Sequence, residues 1–207
     1  MSEETINELA RPGTAVNAKG YQRAEQIVVT AFQVLIEEGY AGFSTRKVAQ
    51  RLGIRQSNLQ YYFPTKVDLV QALFEHHVNS SLGAIDGFKG DERQRFLRGV
   101  TYFLESHFSQ QQQIFLRELW ALAAHDQEIA NVMNRFYQQW IDQITQTIRQ
   151  LNPAMSLRKA QKRALLVISM VDGLSLFHGA HGVDHVAVQG IEREIREVLL
   201  EMIGLPE

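Results

Sequence analysis

Three histidines lie close together in "FHGAHGVDH", His178, His181 and His185, and would share one face if a helix ran through them. Three imidazoles can bind zinc. Gly179 and Gly182 instead suggest that the helix is ending, and no carboxylate–histidine motif of a hydrolytic class accompanies them. A polar helix terminus is therefore the better reading, with a metal-dependent helical enzyme as the alternative. A second cluster, "RLGIRQSNLQYYFPTK", Arg51 to Lys66, offers different chemistry. Gln and Asn present a donor and an acceptor together, matching an adenine edge, and Arg matches the acceptor pair of guanine or a phosphate. Arg55, Gln56, Ser57, Asn58 and Gln60 are the candidates for base edges. Tyr61 and Tyr62 can each pack a ring while extending a hydroxyl to a phosphate, and Lys66 adds a cation at the start of the next helix.

Charge distribution supports the second cluster. The chain carries a formal charge of -2, yet Gly39 to Val67 contains no Asp or Glu and holds Arg46, Lys47, Arg51, Arg55 and Lys66. A polyanion would find its favourable surface there. The absence of cysteine excludes disulfides, thiolate metal sites and cysteine nucleophiles. No phosphate-binding glycine loop, nucleophile elbow or helical zinc-protease histidine pair occurs. No cofactor is expected. With 45% hydrophobic and 21% charged residues, no membrane-length apolar run and no secretory start, the chain reads as an ordinary cytoplasmic protein.

The elements that must position these residues are all helical. Residues 1–18 read as a flexible arm. Ile27, Val28, Ala31, Phe32, Leu35 and Ile36 recur at helical spacing from Lys19 onward, and Gly39 supplies a stop. Ser44 precedes a short helix whose apolar positions are Val48, Ala49 and Leu52, closed by Gly53. Pro64 disfavours helix at Phe63, so a third short helix ends near Tyr62, with Leu59 facing inward. A long fourth helix comes after Pro64, with Asp68 near its positive end. Further helices are expected near 91–108, 112–125, 127–151, 156–180 and 189–203, with the glutamines at 110–113 as a solvated junction. The fold class is all-α. A longer helix succeeded by two short ones joined at a glycine has the shape of a helix-turn-helix unit.

Ser44 to Phe74, "STRKVAQRLGIRQSNLQYYFPTKVDLVQALF", resembles the N-terminal domain of the TetR family of bacterial transcriptional regulators. Val48, Ala49, Leu52, Gly53 and Ile54 match its second helix and turn, and Leu59, Tyr62, Phe63, Lys66 and Leu69 match its recognition helix and the start of its fourth helix. Gln60 stands where the family often has an aromatic contact, and Tyr62 at its common histidine position. The resemblance implies DNA contacts from Thr45, Arg46, Gln56, Ser57, Gln60, Tyr61, Tyr62 and Lys66, to which the residue chemistry adds Arg55. It divides the chain into a helix-turn-helix domain at 19–65 and a ligand-binding and dimerisation domain at 66–207, with segments "FLRELWALAAHD" and "MVDGLSLFHG" similar to BetI-type regulators.

In that second region Phe103, Phe115, Trp120, Phe136, Tyr137, Trp140, Met170 and Phe177 supply aromatic and soft apolar surface; each taken singly reads first as core, and as a set they could line a small-molecule pocket. Arg117, Glu118, His125 and Asp172 are the polar candidates for orienting a ligand. Apolar stripes through Leu165, Leu166 and Leu174, and through Ile191, Ile195 and Val198, fit pairing with a second copy or burial within the chain. The expected partners are double-stranded operator DNA, a small-molecule effector and a homodimer mate, and the expected role is that of a repressor. A ligand that promotes DNA binding, or a protein-interaction module, fits the same residues.

Overall fold

A computed structural model describes residues 18–107, 109–177 and 189–204. Every regular element among them is an α-helix. In chain order these are α1 Ala18–Gly42, α2 Thr45–Arg51, α3 Gln56–Tyr62, α4 Lys66–Asp86, α5 Glu92–His107, α6 Gln110–Ala123, α7 Gln127–Leu151, α8 Leu157–Ser175 and α9 Ile191–Ile203. No helix of the described residues is long and apolar enough to cross a membrane.

The described chain forms two compact units. The first comprises residues up to Leu82 together with Ile114–Phe136, and the second Gly83–Gln113 together with residues from Tyr137 onward. In the first, α1 packs on α2 and α2 on α3. Ile27, Ala31 and Leu35 of α1 are fully buried, as the helical spacing requires. An aromatic chain continues this core. Phe115 lies 5.3 Å from Phe32 and 5.9 Å from Phe74, whose ring is 4.9 Å from Phe136. These tilted contacts add to the area the rings bury.

In the second unit one cluster joins Val100 and Leu104 of α5, Val171 of α8 and Ile195 and Leu199 of α9. Another joins Ile148 of α7, Met155, Ala160 and Ala164, and Ile203 of α9. The Asn152 amide donates to the carbonyl of Ile203 at 3.1 Å, satisfying an acceptor that the end of α9 leaves open.

Three boundaries differ from the sequence expectation. Gly39, expected to end the first helix, has φ 63° and ψ 174° and breaks it, after which the chain continues helically to Gly42. The glutamines at 110–113 form the first turn of α6 rather than a solvated junction. The backbone of Gln113 donates to the Ser109 carbonyl, and Gln112 and Gln113 are buried. The helix expected to reach residue 180 ends at Ser175, where Leu176 and Phe177 donate to the carbonyls of Gly173 and Leu174 and tighten the chain out of α-helical register. His178, His181 and His185 lie outside the described residues, as does the N-terminal arm up to residue 17.

Candidate nucleic-acid interface

The turn between α2 and α3 is built by backbone bonds. The hydroxyl of Ser44 accepts from the backbone of Lys47 at 3.2 Å and caps the start of α2. At the other end Gly53 donates to the Gln50 carbonyl and Ile54 to that of Ala49. These paired bonds form a Schellman motif with Gly53 at the left-handed position, φ 66°. A Cβ at residue 53 would meet nothing within 4 Å, so the turn requires glycine for its backbone conformation and not for space. Arg55 precedes α3 without a side-chain cap bond, and Phe63 closes it at φ -130°, extended as a residue before proline should be.

Leu59 is 0% exposed, and Ala49 and Phe63 are buried with it. Burial of the Leu59 side chain is worth about 1.5–3 kcal/mol and fixes which face of α3 turns outward. That outward face carries Arg55, Gln56, Ser57, Asn58, Gln60 and Tyr61, all exposed. Arg46 is exposed on α2, whereas Thr45 and Tyr62 are half-buried. The Tyr61 and Tyr62 rings meet edge to face at 5.2 Å, which orients both phenols. Leu52 and Ile54, on either side of Gly53, are half-buried.

Folding revises the electrostatics. The acid-free window in the sequence is approached by two acids from the end of α1. Glu38 pairs with Lys47, and Glu37 pairs with Arg51 at 2.6 Å. The Arg51 guanidinium, by its hydrogen bond, holds the Glu37 carboxyl below the usual range. Arg46 and Arg55 are exposed and have no ion pair among the described residues. Adjacent acids at the end of a helix that must return against α2 are the signal that locates these pairs.

Lys66 begins α4, as expected, and its ammonium lies against an aromatic ring. It is half-buried at the start of α4, with its ammonium 3.3 Å from the centre of the Tyr40 ring and 5.4 Å from that of Phe43. Burial lowers its pKa, and the nearby charge of Asp126 opposes that effect. Two backbone donors at the entry to α4 are satisfied internally. The Asp68 carboxylate accepts from the backbone of Thr65 at 2.8 Å, and the Thr65 hydroxyl accepts from the backbone of Asp68 at 3.1 Å.

The residues expected to line a ligand site divide between the two units. In the first, Phe115 and Phe136 are buried rings tilted against Phe74, and Arg117 and Trp120 are half-buried. Glu118, a polar candidate, accepts a hydrogen bond from the backbone of Tyr40 at 2.7 Å, while His125 is exposed. In the second unit the rest meet more closely. Tyr137 donates its hydroxyl to Asp172 at 2.8 Å, so the acid that interrupts the apolar run of α8 has a partner. Trp140, one helical turn from Tyr137, meets Phe103 edge to face at 4.9 Å. Met170 is half-buried, and Phe177 is 48% exposed. A separate open groove of about 450 Å³, lined by Asp142, Thr145, Arg149, Leu157 and neighbours, includes none of the expected ligand residues. Among the described residues no group of three or more potential metal ligands occurs.

Residues 27–73 match the family described as bacterial regulatory proteins, TetR family, and residues 93–204 match the C-terminal domain of BetI-type transcriptional repressors. An uncharacterised helix-turn-helix regulator from the dhlA 5' region of Xanthobacter autotrophicus is 28% identical over 172 residues, 79% of this chain and 81% of that one. Among solved structures, a TetR-family regulator of Rhodococcus sp. superposes with a TM-score of 0.70 at 19% identity, covering 88% of this chain and 97% of its own. A transcriptional regulator of Saccharomonospora viridis, solved in complex with choline, gives 0.65 at 20% identity over 88% of this chain and 96% of its own.

Proposed function

The chain belongs to the TetR family of bacterial transcriptional regulators, and from that premise we propose that it is a cytoplasmic repressor released from its operator by a small molecule. The observation that supports this most is the face of α3, where Gln56, Ser57, Gln60 and Tyr61 stand exposed on a helix anchored by buried Leu59. Amides read base edges, Arg46 and Arg55 meet phosphates or guanine, and Thr45, Tyr62 and Lys66 complete the contact. Residues 19–65 form the DNA-binding domain and 66–207 the effector and dimerisation domain.

Members of this family bind operator DNA as dimers. Here the mates meet through α8 and α9, and two recognition helices then address two half-sites. The effector is held from the region of Tyr137 and Asp172, with Phe103, Trp140 and Met170 nearby. A carboxylate beside aromatic rings suits an organic cation. The effector acts through α4, whose last residues belong to the second unit, and changes the separation of the two α3 helices.

Fluorescence anisotropy with the protein's own upstream DNA tests the reading. Specific binding should weaken steeply as salt rises. A salt-insensitive or absent affinity favours a protein-interaction module. Choline, the ligand of the Saccharomonospora relative, is the first effector probe. Addition should lower DNA affinity, and a rise would identify the opposite sign of control.

A further inference from the structure

Helix α1 is interrupted one turn before its end. At Gly39 the combination of φ 63° and ψ 174° turns the following peptide group out of the helical ladder. The Tyr40 backbone N–H, displaced in this way, donates instead to Oε2 of Glu118 on α6 at 2.7 Å, across 78 positions of sequence and within the first unit. The other carboxylate oxygen lies against Gly39 itself, 3.2 Å from where a Cβ would stand. The two partners are fitted to one another, because the break supplies the free donor and the missing side chain admits the acceptor.

The segment held in this way is the joint that feeds the helix-turn-helix. Phe43 donates its backbone N–H to the Tyr40 carbonyl at 3.1 Å, its ring is buried, and Ser44 then caps α2. On the far side of the joint the Tyr40 ring carries the ammonium of Lys66. One carboxylate therefore anchors the residue that both leads into α2 and holds the cation at the start of α4. Arg46 stands in the first turn of α2. A shift of this joint moves it and Lys66 together.

We propose that Glu118 is a positioning residue for DNA binding. It touches no DNA, and it acts by fixing the Tyr40 joint that places α2 and the ammonium of Lys66. Helix α6 starts at Gln110 in the second unit and carries Glu118 in the first. This inference rests on the DNA-binding reading and adds a residue to it.

The test uses the full chain and an operator duplex selected from a randomised library. Glu118→Ala should weaken binding about tenfold or more, the order of one charge-assisted hydrogen bond, and Glu118→Gln, which keeps an acceptor, should recover part of that loss. Amide hydrogen exchange in the DNA-free protein supplies the second readout. In Glu118→Ala it should accelerate at Tyr40 and through the joint to Lys47 while the core amides of α1 stay protected. Acceleration spread evenly over the whole unit identifies general destabilisation and overturns the proposal. Operator affinity within twofold of the unaltered chain overturns it equally. If the unaltered chain selects no duplex at all, the DNA-binding reading itself fails and this proposal falls with it.

Discussion

Two surfaces of this protein are exposed for opposite chemical reasons. The outer face of α3 presents Gln56, Ser57, Asn58, Gln60 and Tyr61, groups that water satisfies fully. The outer faces of α8 and α9 present Leu165 at 52% exposure, Leu166 at 48% and Val198 at 40%. Leu157 and Leu165, two turns apart, share a side of α8. The first surface loses nothing by remaining wet, whereas the second exposes apolar area that gains by being covered. The difference separates the kinds of partner each fits: a hydrated polyanion read by hydrogen bonds for α3, and another apolar protein surface for α8 and α9.

The strongest way to break this contrast is to make the second surface resemble the first. Leu165→Asp combined with Leu166→Asp should convert the assembly from two chains to one of 23.6 kDa, read by light scattering. Operator affinity should fall about 100-fold, because half-sites are then engaged singly. Removing the support behind the polar face comes next. Leu59→Ala should cost about 2–5 kcal/mol of stability in urea unfolding, since its side chain is wholly enclosed. The polar face can then be dissected without unfolding it. Gln56→Ala should cost about 1–3 kcal/mol of binding and relax sequence preference, with the salt slope unchanged. Arg46→Ala should instead reduce that slope by about 1 across all sequences. Gly53→Ala should cost only about 1 kcal/mol, from its left-handed backbone alone, measurable as a lowered melting temperature with specificity intact.

Local signals in the sequence were sufficient for local structure. Ser44 as a cap, Gly53 as the residue that closes α2, Pro64 as a stop for α3, and Leu59 as an inward residue were all legible, because each depends on neighbours within a few positions. The exposed amides of α3 came from the inward set by subtraction. Long-range electrostatics were not legible. A window free of acids looked like five available cations, yet Glu37 and Glu38 return from α1 and take up Arg51 and Lys47. The partner of Lys66 was hidden for the same reason, since nothing in the spacing of Tyr40 and Lys66 announces a stacked ammonium. The aromatic list left pocket and core both open. Phe115 and Phe136 have the chemistry of a ligand wall, and in the fold both make tilted contacts with Phe74.

The break at Gly39 also separates two glycines that look alike in the sequence. At position 53 the backbone is left-handed with open space around it, so asparagine can stand there. At position 39 the backbone lies in a region that only glycine occupies, and the Glu118 carboxylate fills the room a side chain would need. A saturation library sorted for operator binding should therefore return two kinds of result, a short tolerated set at codon 53 and a single surviving amino acid at codon 39.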